Sequence, residues 1–436
     1  MQGTGQTLWE KAKKLIPGGG QLLSKRAELF APGQWPAYYS KAEGAYVWDL
    51  DSNKYLDMLN MGIGSCMLGY ADPDVNSAAI EAVQKGSMST LNCPEEVELA
   101  ELLLSLHPWA GMARFARTGG ESMAIAARIA RAYTGRDTIA FCGYHGWADW
   151  YLATNLQTKD ALADHLLAGL EPKGVPKGLA GSIVPFHYNK IEELEAIVAR
   201  TPDLAAIFME PMHGEYPQDG FLQKVRDIAT KTGAVLVFDE ITIGFRLAVG
   251  GAHKVLGVEP DMAIFAKGMS NGFPMAAIIG TSAVMQAAQD TFISSTFWTE
   301  RVGPAATLAA IKKMQKVNLP EHLATVGGKI KKIWDEVGKR HGLAVTSSEV
   351  LPLLFFTFPG SDPAAQKTLY VQEMLKRGIL ATNQFYASYV HTDEHIAEYE
   401  KALNEVFPII AKSTADGTLQ SFLEGPVAHS GFERLN

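Results

Sequence analysis

Cysteine is nearly missing from this 436-residue chain: Cys66, Cys93 and Cys142 are scattered, odd in number and without C-x-x-C spacing. That pattern excludes a disulfide framework and a zinc site, and it reads as the reduced packing thiols of a cytoplasmic protein. Long apolar runs are missing as well. No stretch reaches the about 18 residues that a membrane-crossing helix needs. The N-terminal Gln2-Gly3-Thr4-Gly5 and Leu8-Trp9-Glu10-Lys11 form no apolar segment of the secretory kind. No basic block stands out either: 39 basic against 47 acidic residues give a net charge of −8, which excludes nucleic acid and anionic membrane as partners. The pattern G-x-x-x-x-G-K-[ST], which cradles a nucleoside triphosphate, is absent, and so are repeats and low-complexity tracts.

What remains is globular in composition, with 47% hydrophobic and 20% charged residues. At roughly 150 residues per domain the length suggests two or three domains. The first sixty residues are irregular, with a short amphipathic helix near Thr7–Leu15 and a hairpin around Asp51-Ser52-Asn53. The middle carries short apolar runs that each end in a polar group. Ile139–Cys142 runs into Gly143-Tyr144-His145, Ala206–Met209 into Glu210, Val235–Phe238 into Asp239, and Ala263–Ala266 into Lys267. Continuous apolar runs of four or five residues fit strands of a sheet buried on both faces. In open α/β sheets the ligand lies beyond the carboxyl ends of the strands, so these run-ends face one crevice. From about residue 310 the pattern turns to long helices (304–315, 321–341, 394–411) and a strand-like 352–358, as in a smaller α+β domain.

Chemistry then narrows the reading. A lysine leaving a buried strand at a tight turn loses its proton more easily than usual and becomes a nucleophile or Schiff-base former. Taken alone, such a lysine is most often a solvated loop residue. Asp239 changes the balance, because a carboxylate at a buried strand end needs a cationic partner. A protonated pyridine nitrogen is one; the bland alternative is a cap on the following turn. Arg117-Thr118-Gly119-Gly120-Glu121-Ser122 follows a strand-like 112–115 and opens an Ala-rich helix over 122–133. Two glycines there leave amides free to approach a dianion, though an ordinary N-cap turn reads the same way. Tyr144 offers a flat ring to a planar cofactor or, equally, to the core. Gly268-Met269-Ser270-Asn271-Gly272 satisfies G-x-S-x-G, and His391 lies downstream. A nucleophile elbow needs a helix next, however, and Pro274 with the apolar 275–279 suggests a strand.

Together these segments resemble the class III aminotransferases of the fold type I pyridoxal-phosphate enzymes, with a look close to glutamate semialdehyde aminomutase. The likeness is carried by Phe238-Asp239-Glu240-Ile241-Thr242-Ile243-Gly244-Phe245-Arg246, by Gly257-Val258-Glu259-Pro260-Asp261, and by Ala266-Lys267-Gly268 with Gly272-Phe273-Pro274. Tyr144-His145-Gly146, Ile16-Pro17-Gly18-Gly19 and Asn383-Gln384-Phe385 extend it over nearly the whole chain. The resemblance implies an α/β fold: a large domain over 66–310, with a mostly parallel sheet sandwiched by helices, and a smaller α+β domain over 311–436 to which residues 1–65 contribute. It implies pyridoxal phosphate held as a Schiff base on Lys267, with Asp239 on the pyridine nitrogen. Tyr144, with His145 beside it, and Ile241 would take the two ring faces, and Gly119 and Gly120 the phosphate. Thr296 would reach the phosphate of a neighbouring subunit, which makes the protein a homodimer with shared active sites.

The family contains both aminotransferases and the aminomutase. Glu215 in Glu210-Pro211-Met212-His213-Gly214-Glu215 stands where the aminomutase pattern has Asn. Tyr386 stands where it has an acidic residue, a charged 154–176 replaces its gating loop, and Trp298 follows the phosphate threonine. These departures favour a transaminase acting on a small-molecule amino donor and carbonyl acceptor, ahead of the aminomutase and of a racemase on the same fold. Arg26, beside Lys25, falls near the aminomutase's carboxylate-binding Arg. Trp147, Trp150 and Trp298 would make a broad aromatic pocket or, equally, pack in the core.

Overall fold

The computed structural model describes residues 3–165, 167–212, 214–360 and 362–431. These form two compact units, residues 1–72 with 321–436, and residues 73–320. In chain order the strands are β1 (Tyr39–Glu43), β2 (Tyr46–Asp49), β3 (Lys54–Asp57), β4 (Met112–Ala116), β5 (Ile139–Cys142), β6 (Ile183–Pro185) and β7 (Ala206–Met209). Then come β8 (Val235–Asp239), β9 (Met262–Phe265), β10 (Ala276–Gly280), β11 (Thr346–Ser347), β12 (Leu353–Thr357), β13 (Ile379–Leu380) and β14 (Gln384–Tyr386).

The second unit is built on a seven-stranded sheet in the order β4-β10-β9-β8-β7-β5-β6. Strands β9, β8, β7, β5 and β6 pair in parallel, and β10 runs antiparallel to both β4 and β9. The four apolar runs of the sequence are therefore adjacent strands pointing the same way. Every residue of β5, β7, β8 and β9 is buried. Alternation explains why no polar residue interrupts them. Val235 and Val237 pack on one face with Phe141, Phe208, Ile264 and the inner stripe of helix Gly119–Thr134. Leu236 and Phe238 pack on the other with Val225, Leu222, Leu194 and Ile197 from helices Ile191–Arg200 and Phe221–Thr232. Each such side chain contributes about 1.5–3 kcal/mol by leaving water, so neither face can spare a polar position.

Strand β10 also disposes of the hydrolase motif. Ser270 lies in the 3₁₀ turn Lys267–Ser270, its Oγ donates to the Phe273 carbonyl, and the chain runs on into a strand and not a helix. No nucleophile elbow forms.

In the first unit, β1, β2, β3 and β13 form one sheet and β11, β12 and β14 another. The expected hairpin is β2–β3, and the expected C-terminal helices run over Leu319–Arg340 and Asp393–Ala415. His391 shows how tightly this unit is tied together. It is 1% exposed, its Nε2 donates to the Asp57 carbonyl, and its Nδ1 accepts the Ser388 N–H. Acceptance at Nδ1 requires the neutral ring, and burial lowers the pKa to about 4. In the unfolded chain the same ring titrates near its ordinary value of 6.5, so below that pH the unfolded state binds the extra proton. Stability from this group is complete above about pH 6.5 and is lost as pH falls toward about 4, at most about 3 kcal/mol. Urea denaturation across that window should show the loss in the wild type and a flatter profile in His391→Asn; equal slopes would remove His391 as the cause.

Candidate active site

The carboxyl ends of the parallel strands line up four groups. Lys267 follows β9, Asp239 ends β8, Glu210 follows β7, and Gly143-Tyr144-His145 follows β5, in the spatial order of the sheet. Residues far apart in sequence are thereby placed on one edge.

Lys267 adopts φ 46°, a left-handed turn that swings its stem off the strand. Its Nζ donates to Thr242 Oγ1 at 2.7 Å. Burial pulls the amine's pKa below the ordinary lysine value of 10.5, while the charges of Asp239 and Glu210 oppose the shift. Asp239 is 3% exposed. Its Oδ1 accepts the Ile241 N–H at 3.0 Å, and its Oδ2 lies 2.8 Å from His145 Nδ1. The side chain thus caps the turn after β8 and at the same time bonds His145.

His145 Nε2 faces the Cys142 carbonyl at 3.1 Å, an atom that only accepts, so that nitrogen carries a proton. Asp239 and His145 therefore hold one further proton between Oδ2 and Nδ1. Burial raises the Asp239 pKa, and the hydrogen bond from His145 opposes it. A carboxylate in this setting gains from a cation at close range.

Glu210, marked in the sequence only as a run-end, lies against Gly143 and bears electrostatically on Asp239. A Cβ on Gly143 would stand 2.6 Å from Glu210 Oε2, and Gly143 adopts φ 107°, so only glycine admits this approach. Thr242 was missed. A threonine three positions past a strand-end carboxylate is a weak signal, and its hydrogen bond to Lys267 exists only because β8 and β9 are neighbours.

The helix expected from residue 122 begins at Gly119. Thr118 caps it, its Oγ1 accepting from the Glu121 N–H while the Glu121 carboxylate takes the Thr118 N–H at 2.9 Å. The two glycines lie in the first turn, where backbone amides have no partner within the helix. A Cβ at Gly119 would come 2.8 Å from Ile241 Cδ1, and one at Gly120 2.9 Å from Trp147 Nε1. Ile241 and the Trp147 indole therefore flank this helix end. Tyr144 is 37% exposed and meets Tyr151 edge-on at 6.1 Å, leaving its ring partly open.

The remaining candidates divide. Trp150 is buried at 7% exposure against Phe208, so it packs in the core and does not line a pocket. Trp147 is 71% exposed, and Trp298 Nε1 lies 3.4 Å from Glu121 Oε1. Thr296 opens an exposed 3₁₀ turn, Thr296–Thr299. Glu215 is exposed and accepts from Gln218; His213 of its stretch lies outside the described residues. Arg26 and Tyr386 belong to the first unit. Arg26 is half-buried against Gly18, and Tyr386 pairs with Leu353 on β12.

A buried-end lysine with a weakened hold on its proton, a buried carboxylate one strand away, a partly open aromatic ring and a glycine-edged helix N-terminus suit one kind of guest. It is planar and aldehyde-bearing, with a basic ring nitrogen and an anionic arm, and pyridoxal phosphate has each of these parts.

Comparison with known proteins gives the same direction. A family model described as aminotransferase class-III matches residues 30–407. A 3-aminobutyryl-CoA aminotransferase of Cloacimonas acidaminovorans is 31% identical over 93% of this chain and 97% of its own length. A glutamate-1-semialdehyde 2,1-aminomutase of Francisella tularensis is 32% identical over 94% of this chain and 95% of its own. Among solved structures, the PLP internal aldimine form of the FumI protein from Sphingopyxis sp. MTA144 superposes with a TM-score of 0.84 at 27% identity, covering 95% of this chain and 98% of that one.

Proposed function

Since the chain belongs to the class-III aminotransferase family, we propose that Lys267 and Asp239 carry its chemistry, the transfer of an amino group from a small-molecule donor to a carbonyl acceptor. Pyridoxal phosphate is the cofactor, and bound here it supplies a sink for the electron pair released at the carbon bearing the amine. In our reading Lys267 Nζ holds the cofactor at rest. Freed by the substrate amine, the same Nζ would serve as the base that takes the proton from the carbon bearing that amine. The weakened proton affinity of this amine supports the role. Asp239, with His145 behind it, keeps the ring nitrogen protonated. Tyr144 and Ile241 take the two ring faces, and Gly119 and Gly120 at the helix N-terminus take the phosphate.

The observation that carries the proposal is the placement of Lys267 and Asp239 at the same end of adjacent parallel strands. We assign cofactor binding to residues 66–310, with 1–65 and 311–436 as the smaller domain. Two copies sharing their sites, with Thr296 reaching across, are supported by exposed apolar side chains around that turn. Phe292 is 83% and Phe297 68% exposed, and the Arg301 N–H donates to the Ser87 carbonyl, near Leu91 at 80%. We place the protein in the cytoplasm on its three unpaired cysteines; no helix among the described residues is long and apolar enough to cross a membrane.

An aminomutase is the second reading, favoured by the relative of that activity at 32% identity and opposed by Glu215, Tyr386 and Trp298 at divergent positions. Adding single amino donors to the purified holoenzyme and following the cofactor spectrum separates the two. Stoichiometric conversion to the pyridoxamine form, reversed by a keto acid, supports transfer. Release of aminolevulinate from glutamate semialdehyde without any external acceptor would replace it with the mutase.

A further inference from the structure

One cavity lies wholly within the first unit. It measures about 210 Å³ and is bounded by Phe358, Pro363, Ala364, Lys367, Ala428 and Ser430. On one side Phe358 packs edge-on against Phe356 at 4.9 Å and Tyr370 at 5.8 Å. The cavity's rim is pinned. The Ala428 N–H donates to Thr368 Oγ1 at 2.9 Å, and the His429 N–H donates to the Glu28 carbonyl at 2.8 Å. Asn383, which also reaches the cavity, spends its Nδ2 on the Phe356 carbonyl.

Among the described residues bounding this space Lys367 is the one lysine or arginine, and His429 is the other titratable side chain. Lys367 stands on helix Pro363–Lys376, one turn in from its start, and is only partly exposed. Among the described residues its Nζ has no carboxylate partner and no hydrogen bond. The nearest acid in sequence, Asp362, is committed elsewhere: it caps the helix through the Ala365 N–H and accepts from Gln420 Nε2. Burial lowers the Lys367 pKa from its ordinary 10.5. A half-buried ammonium without a counterion is costly, and an anion that enters beside it removes the cost. The walls fix the rest of the guest. Phe358, Pro363, Ala364 and Ala428 offer apolar surface, and among the described residues no acidic side chain faces the cavity to repel a negative head.

We propose that this cavity binds a small aliphatic carboxylate, its head paired with Lys367 Nζ and its alkyl chain lying along Phe358, Pro363 and Ala428. The site stands apart from the amino-transfer reading and does not depend on it.

Competitive acetylation of the holoenzyme, read lysine by lysine with mass spectrometry across pH, tests the proposal with sodium butyrate as the probe. Butyrate should raise the Lys367 titration midpoint by about one unit, slowing its labelling about tenfold below that midpoint. n-Butanol, butylammonium and inorganic phosphate at equal concentration should leave Lys367 unchanged. The cofactor spectrum, recorded in parallel, reports any butyrate at the other site. Ala364→Leu, which narrows the cavity and keeps the lysine, should abolish the butyrate effect while Lys367 is still labelled. Its thermal melt and bound-cofactor spectrum show whether it folds. Lys367→Met should lose the calorimetric heat of butyrate binding assigned to this site. Unchanged Lys367 labelling in butyrate overturns the proposal, as does equal protection by phosphate or by n-butanol.

Discussion

Lys267→Ala is expected to lower turnover by at least about 10²–10⁴-fold, the range that removal of a general base produces. The variant should also lose any cofactor linkage that borohydride can reduce. Two properties of the wild-type side chain account for the size of the effect. It is the only amine at the strand ends of this sheet edge among the described residues. Burial also lowers its pKa below 10.5, so a larger fraction of it is the free base near neutrality than of an exposed lysine. Asp239 and Glu210 temper that shift through their charges, which keeps the amine responsive to the loss of either. The substitution leaves the core untouched, because the side chain leaves the sheet through a left-handed turn. A normal thermal melt beside the lost activity is therefore expected. If borohydride still fixes the cofactor to the Ala variant, another lysine holds it and the assignment of Lys267 falls.

Asp239→Asn should cost about 10²–10³ in turnover, the effect of deleting one preorganised charge from a buried site. Asn keeps the shape and can still accept the Ile241 N–H and bond His145, so the turn after β8 should survive. What it loses is the negative charge. In the proposed arrangement that charge is what would hold the ring nitrogen protonated, so the withdrawal of electrons should weaken. The decisive readout is therefore a changed absorbance of the bound cofactor together with reduced kcat at nearly unchanged cofactor retention. Unaltered turnover with a wild-type spectrum would show that the carboxylate serves only as a turn cap.

The likeness of the chain to its family and the positions of its strands were legible without a structure because both are local. Val235–Phe238 reads as a doubly buried strand from four residues alone, and the alternation of its side chains between two packed faces is the physical reason. Lys267 and Asp239 stood out because charged groups directly follow such runs. Trp150, by contrast, could not be told from a pocket residue. It sits three residues past solvent-exposed Trp147, and only packing against Phe208 turns it inward. The start of the glycine-edged helix was misjudged by three residues because the reciprocal Thr118–Glu121 bonds draw both glycines into its first turn.

Order along the sheet was not in the sequence at all. The apolar runs pointed their ends to one crevice, but the chain visits β5, β7, β8 and β9 with helices and long loops between, and nothing local says which strand lies beside which. That placement brings Thr242 to the Lys267 amine, Glu210 behind Gly143, and His145 onto the Asp239 carboxylate. Composition and short-range patterning alone thus decided which residues are strands and which side chains terminate them. Tertiary packing decided who shares a proton with whom, because hydrogen bonds of about 3 Å depend on the crossing of segments dozens of residues apart.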